Sequence, residues 1–437
     1  MLIVIPEHFN GIKYNEEYDF KGSLPFDKDY FYQFTKRKRV EKLDCFRIYS
    51  DKANQKHAIS NGYFIGVDWI IEGQKAIYVE PKINKEAFQQ TDYLKMLFSA
   101  LEHPEVANYT DDLFEIKWDE LQIKIKQEQD LLTPLIIVQF LKVVQAIVRK
   151  GLKKSYYKVE HNLYGKVKGK ILVGQTVKQN LLKNKTLNTF CTYDEFGLNG
   201  LENRLLKKAL VFVKCYLPTI VKLKSEAYTA NVFSYINPAF ESVSEEVSLH
   251  DVKNTKTNVF YKEYEVAIKL AKLILKRFGY NITNASTQDE ILTPPFWIDM
   301  SKLFELYVFG ILLDNGHKVE YQYKANYGEP DFLLIDEQKI ADSKYKTYYK
   351  FNIKGNSKRD EIAKDIRQLS GYGRDTEVLK KLGFKSEVEQ NKVVVKCLII
   401  YPDQDLKEPG LDKVELPIDG FAKFYKRAVR LPVIDSK

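Results

Sequence analysis

The sequence predicts an α+β multidomain protein. A β-rich N-terminal domain (residues 1–105) precedes a mainly helical middle region with a basic hairpin (106–285) and a C-terminal α/β domain (286–437). Three observations predict this. Short strand-like runs, Tyr63–Val67 and Ala76–Val79, punctuate the first hundred residues, and no long amphipathic pattern appears before about Tyr93. Helical periodicity with clear end signals dominates the middle. After Pro294-Pro295 the pattern becomes helix, three strands, helix, strand.

The chain has 437 residues, of which 44% are apolar and 29% charged, so disordered, collagen-like and coiled-coil classes are excluded. Lys+Arg minus Asp+Glu is 68 − 59 = +9, an excess that permits a polyanionic partner without demanding one. Cys45, Cys191, Cys215 and Cys397 are far apart and lack CxxC spacing, so neither a zinc site nor a disulfide framework is expected. The start, MLIVIPEHFNG, has no basic leader and reads as a first strand rather than a signal peptide. The apolar run Leu135–Val148 is interrupted by Gln139, Lys142 and Gln145 and is too short and polar to span a bilayer. The basic run Lys36–Arg39 reads as a solvated loop, with a localisation or nucleic-acid patch as the alternative. A soluble, cytoplasmic protein without membrane contact is expected.

Each middle helix has its own signals. Thr133-Pro134 reads as an N-cap followed by proline at the first helical position, with Arg149, Lys150 and Gly151 closing the helix. Further helices are expected from about Leu201 to Val213 and from about Tyr261 to Phe278, the latter ending on Lys276, Arg277 and Gly279. Between the first two lies a basic stretch, Arg149–Lys170, with eight Lys/Arg against one Glu and Tyr156, Tyr157 and Tyr164 interleaved. Gly165–Lys170 reads as a turn entering a strand. In the C-terminal region the expected elements are a helix, Ser301–Leu313, stopped by Asp314-Asn315-Gly316. Strands follow at His317–Tyr323, Asp331–Ile335 and Lys339–Tyr345. A polar loop (Gly355-Asn356-Ser357) leads to a helix, Arg359–Tyr372, and a last strand, Val393–Tyr401.

The segment Gly328-Glu329-Pro330-Asp331 … Asp342-Ser343-Lys344 carries the chemistry. Asp331 begins one strand and Asp342 lies in the next after a tight hairpin, so strand pairing brings the carboxylates side by side. Lys344, two residues after Asp342, points to the same face. Two hard oxygen ligands suit Mg²⁺, with Mn²⁺ as a substitute. Such an ion polarises a phosphodiester and acidifies a bound water, and Lys344 can orient that water or stabilise transition-state charge. This arrangement resembles the PD-(D/E)xK nuclease motif, and the element order matches that superfamily's core. The alternative is a salt-bridge cluster on adjacent strands. The resemblance implies metal ligation by Asp331 and Asp342, with Glu305 on the preceding helix as a third ligand. An acid within that apolar helix must either emerge to solvent or serve a site. Gln368 and Tyr372, at i and i+4 on the following helix, share one face. They resemble an accessory motif of these nucleases; a plain helix surface is the alternative.

Phe190-Cys191-Thr192-Tyr193-Asp194-Glu195-Phe196 followed by Glu202-Asn203-Arg204-Leu205-Leu206-Lys207 resembles the signature of the McrC family, the nuclease subunits of McrBC-type, modification-dependent restriction systems. The Gly165–Ile171 and Asp342–Tyr345 segments resemble it too. Ser343 departs from the small residue, such as Ala, expected there, and its side chain is expected to face away from the metal. The resemblance implies a subunit that docks on an McrB-like AAA+ GTPase ring through its N-terminal part. There it stimulates nucleotide hydrolysis and cuts modified double-stranded DNA. GTP is used by the partner, not bound by this chain, which has no GxxxxGK[ST] loop. Lys166, Lys168, Lys170 and Lys346 are candidate DNA-backbone contacts; an acidic partner surface or a solvated junction are the alternatives for the basic stretch. The Tyr193–Glu195 and Asn203-Arg204 group reads as a helix junction held by a buried Arg–carboxylate pair. Two rival functions remain open on sequence: a catalytically silent adaptor with a nuclease-like fold, and a stand-alone repair nuclease.

Overall fold

The computed structural model describes residues 1–9, 24–25, 28–36, 41–51, 53, 56–82, 91–101, 103, 105–110, 112–117, 119–126, 129–217, 226–248, 262–277, 290–350, 358–408 and 410–433. Most of the basic run at 36–39, the loop at 355–357 and the helix end at 278–279 lie outside them.

The chain forms two compact units, one of residues 1–132 with 289–437 and the other of residues 133–288. These do not coincide with the boundaries at 105 and 285 read from the sequence. In the first unit, Phe64–Ile71 and Lys75–Glu80 form an antiparallel hairpin, and Leu2–Pro6 joins it in parallel. Phe296–Asp299 then pairs with Phe64–Ile71 on one side and Phe114–Ile116 on the other. Early and late chain therefore share one sheet. Gly66 allows the close approach. Its φ is +151°, and a Cβ there would sit 2.0 Å from the Phe296 carbonyl oxygen. Trp297 is fully buried among Ile5, Phe46, Phe64 and Val79. Its indole N–H donates to Asp68 Oδ2 at 2.8 Å, which also accepts from Lys117 Nζ at 2.7 Å. A separate antiparallel sheet, Tyr30–Lys36, Glu41–Asp51 and Lys56–Asn61, contributes to the same core.

The strand Phe296–Asp299 runs directly into the helix Met300–Asp314, where Asp299 caps the N-terminus by accepting from Lys302 N at 3.0 Å. This helix is buried along most of its length and packs against Tyr93–Leu101. Asn315 and Gly316, the latter at φ +79°, end it as expected. Beyond it, Val319–Tyr321, Phe332–Leu334 and Lys339–Ser343 pair antiparallel in sequence order. Lys396–Pro402 joins Lys339–Ser343 in parallel, and Phe424–Arg430 joins Lys396–Pro402 in parallel. The parallel crossover carries the helices Arg359–Tyr372, Thr376–Lys381 and Glu387–Lys392. The three antiparallel strands are shorter than the sequence suggested; Asp331 and Lys344 both fall just outside them.

The 133–288 unit is less helical than expected. Helices Leu201–Tyr216 and Lys262–Arg277 pack together, but a long antiparallel pair, Ser155–Tyr164 with Asn188–Gly197, occupies the region between the first two helices. Its sequence hid it because apolar residues stand on both faces: Tyr157, Val159 and Leu163 on one, Tyr156 and Tyr164 on the other. The expected Arg–carboxylate pair is not what holds the junction. Arg204 Nε donates to the Asn199 backbone oxygen (2.9 Å) and Oδ1 (3.1 Å), and Glu202 pairs with Lys153 at 2.8 Å. The helix expected from Thr133 begins at Leu132 and spans Leu132–Lys150. By length and hydropathy it would cross a membrane, but 61% of its most apolar window is buried inside the protein, as in a core helix. All four cysteines are free thiols.

Candidate active site

The hairpin at Ile335–Gln338 sets the register. Phe332 pairs with Ala341, so Asp331, one residue earlier, falls opposite Asp342, one residue later. The sequence expectation that the two carboxylates stand side by side is met. Asp342 is buried on the sheet and Asp331 partly so. Burial raises both pKa values. For Asp331 the neighbouring Asp342 and Glu305 add to the rise, while Lys344 and the Ser343 N–H oppose it. For Asp342, Lys344 and contact with the Asp331 carboxyl oppose it. Two ionised carboxylates cannot hydrogen-bond each other, so that contact becomes a bond only when they share a proton.

Lys344 supplies a close cation. Its Nζ lies 2.5 Å from Asp342 Oδ2 and 3.9 Å from Asp365 Oδ1. Burial works against its charge, but Asp342, Asp331 and Asp365 outweigh that and raise its pKa. Its Nζ also donates to Gln368 Oε1 at 3.4 Å, and Gln368 Nε2 donates to the Tyr372 hydroxyl at 3.1 Å. The accessory pair thus reaches the lysine rather than the carboxylates. Tyr372 is seated against Gly328, where a Cβ would meet its ring at 2.8 Å and φ is +136°.

Glu305 does not emerge into solvent. Its Oε1 accepts from the Tyr321 hydroxyl (2.6 Å) and Gln322 Nε2 (2.9 Å), with Lys302 Nζ at 3.4 Å. Burial and Glu305 both raise the Tyr321 phenol. Glu305 is close enough to Asp331 to raise its pKa, yet the three carboxylates do not gather within 4.8 Å of one another. Among the described residues the group that does is His317, Asp336 and Glu337. There the acids already meet His317 and, for Glu337, Lys339.

Lys346 is not a free cation: it donates to both oxygens of the buried Asp365, at 3.2 and 2.9 Å, which also accepts from the Tyr349 hydroxyl at 2.5 Å. Lys166, Lys168 and Lys170 belong to the other unit and are exposed. Lys168 lies 3.9 Å over the Tyr193 ring and 3.5 Å from Glu195. Ser343 differs from expectation. It does not face away from the acids, because its N–H and hydroxyl both donate to Asp331 Oδ2, at 3.0 and 3.1 Å. Sequence reasoning also missed Tyr321, Gln322 and Tyr349, which carry no motif and enter through non-local contacts.

The donor set fits a hard divalent cation. Asp331 and Asp342 offer two adjacent carboxylates, and only one ammonium, that of Lys344, lies against Asp342 among the described residues.

A family model for the McrBC 5-methylcytosine restriction system component matches residues 64–381. The chain belongs to this family. The McrBC match spans Glu305, Asp331, Asp342, Lys344, Gln368 and Tyr372. Among solved structures, the chain is similar to one described as a refined half-complex from a tetradecameric assembly of Thermococcus gammatolerans McrB AAA+ hexamers with bound McrC. Identity is 14%, covering 86% of this chain and 78% of that one, with a TM-score of 0.30. It is also similar to a chain of the cryo-EM structure of the T. gammatolerans McrBC complex. There identity is 15%, covering 74% of this chain and 90% of that one, with a TM-score of 0.28. No curated protein matches the chain.

Proposed function

We propose that this McrBC-family chain is the endonuclease subunit of a restriction complex. It hydrolyses phosphodiester bonds of modified double-stranded DNA at a PD-(D/E)xK-type site, when docked on an McrB-like AAA+ GTPase ring whose hydrolysis it stimulates. The observation that carries the catalytic reading is the Asp331–Asp342 pair, two carboxylates side by side with the Lys344 ammonium against Asp342 Oδ2. A structural salt bridge needs one carboxylate for one ammonium. A second acid beside it adds repulsion unless a shared proton or a further cation offsets it. The docking reading rests on family membership and on the sequence resemblance to McrC subunits, together with the lack of a P-loop in the chain.

Asp331 and Asp342 would hold Mg²⁺ or Mn²⁺, with Glu305 near enough to add to the negative field. When bound, the ion supplies Lewis-acid polarisation of the phosphodiester and acidifies water. Lys344, kept charged by three aspartates, stabilises negative charge developing on the phosphoryl oxygens. Gln368, itself bonded to Tyr372, holds that ammonium from the helix side. Lys166 and Lys170 are the proposed contacts to the DNA backbone; Lys168 is drawn onto Tyr193 and Glu195, and Lys346, spent on Asp365, acts instead within the site's hydrogen-bond network.

The test is cleavage of methylated and unmethylated plasmid with Mg²⁺, comparing this protein alone with the protein plus an McrB-type GTPase and GTP or ATP. Cutting only with partner and nucleotide is expected. Cutting by the chain alone points to a stand-alone nuclease. An assembled complex that never cuts overturns the catalytic reading and leaves an adaptor.

A further inference from the structure

Ser343 lies between Asp342 and Lys344. Strand alternation would turn its side chain away from both. Asp331, however, stands one residue before the strand Phe332–Leu334, outside the ladder, so its side chain is not bound by the pleat. It reaches the end of the neighbouring strand, and its Oδ2 takes two bonds from one residue: the Ser343 N–H at 3.0 Å and the Ser343 hydroxyl at 3.1 Å. Any small residue at 343 supplies the first bond. Only a hydroxyl at this position supplies the second.

We propose that Ser343 is a positioning residue for the metal site: its hydroxyl, with its own amide, pins Asp331 Oδ2 and so fixes the carboxylate beside Asp342 in a cation-ready orientation. This rests on the metal reading above. An acid held by one bond can rotate about its side-chain torsion, whereas one oxygen held by two donors cannot turn without breaking both. The two donors also give Asp331 a reason to stay close to Asp342 before any cation offsets their repulsion. Groups that hold a metal ligand in this way set its affinity, and removing one typically weakens metal binding by about tenfold or more.

The test is Mn²⁺ titration of the full-length chain by calorimetry, with no DNA and no turnover. Wild type, Ser343→Ala, Ser343→Thr and Ser343→Val are compared, each checked for folding by circular dichroism. Thr and Val have the same shape and differ in the hydroxyl, so that pair decides the matter even if Ala perturbs the strand. Ser343→Ala and Ser343→Val are expected to bind Mn²⁺ about tenfold more weakly, and Ser343→Thr within about twofold of wild type. In an Asp331→Ala background, which removes the oxygen that the hydroxyl holds, Thr and Val should no longer differ. Equal affinity of Thr and Val in the wild-type background overturns the positioning role while leaving the metal reading standing. No Mn²⁺ binding by wild type overturns the metal reading, and the inference with it.

Discussion

Tyr345 donates its hydroxyl to Glu7 Oε1 at 3.0 Å, across 338 positions of sequence, and both side chains are buried. The bond ties the end of the first strand to the residue that follows Lys344. Burial pushes the Glu7 carboxyl up from 4.5 to about 8, and the Tyr345 bond offsets only part of that. Between those values the folded chain keeps a proton that the unfolded chain has lost. Stability from this group is therefore fully present below about 4.5, falls as pH rises to about 8, and levels off above. Glu7→Gln imitates the protonated acid and keeps the acceptor for Tyr345. Melting followed by circular dichroism should show little difference at pH 5 and a midpoint higher by about a few degrees for Glu7→Gln at pH 8. Parallel pH curves for the two proteins would mean that Glu7 is ionised in the fold.

The paired aspartates predict a conflict between stability and activity. Asn at 331 can accept the two Ser343 bonds on its oxygen and removes one carboxylate from a crowded pair. Asp331→Asn should thus melt higher than wild type in metal-free buffer, by an amount worth about 1–3 kcal/mol. It should also lose cleavage by about a thousandfold or more. Lys344→Met should be equally inactive for the opposite reason. It leaves Asp342 without its cation and should cost about 3 kcal/mol. If both variants destabilise alike, the second carboxylate is a structural partner rather than a metal ligand held at a cost.

What could be read in the sequence was local. The order of elements around Asp331 and Asp342 was legible because Asp336-Glu337-Gln338 marks a tight connection and the flanking runs are apolar. The pairing of Phe64–Ile71 with Phe296–Asp299 was not, since nothing at either end announces a partner more than two hundred residues away. Gly66 was its one local trace. Glu305 was anticipated as a third metal ligand, and Gln368 and Tyr372 as an accessory pair beside the active site. The structure ties Gln368 to Lys344, Tyr372 to Gln368, and Glu305 to Tyr321 and Gln322. The Ser343 contact escaped because it depends on Asp331 sitting just outside its strand, a one-residue boundary that composition does not mark.

In the 133–288 unit, one polar side chain holds the junction where an Arg–carboxylate pair was expected. Asn203 is buried. Its Nδ2 donates to the backbone oxygens of Lys153 (2.9 Å) and Leu198 (2.7 Å), and its Oδ1 accepts from the Tyr264 hydroxyl at 2.7 Å. Asn203→Ala removes all three bonds and should cost about 2–4 kcal/mol. Asn203→Asp keeps the size and the Tyr264 bond but cannot donate to either carbonyl, so it should be about as harmful. Urea unfolding would measure both. An Asn203→Asp protein as stable as wild type would show that the two carbonyl bonds contribute nothing net.

The exposed lysines of the same unit can be tested by salt dependence. Each phosphate neutralised by a lysine releases condensed counterions, so the slope of log affinity against log salt falls by about one per contact removed. Lys166 and Lys170 are exposed, whereas Lys168 is drawn onto Tyr193 and Glu195. Replacing Lys166 and Lys170 by Ala should weaken binding to an unmodified duplex and lower the slope by about two, whatever the sequence of the DNA. Lys168→Ala should change the slope by clearly less than one. An unchanged slope in the double variant would remove the lysines from the DNA path and leave this basic surface to an acidic protein partner. That outcome would show as weaker assembly with the GTPase in the same double variant.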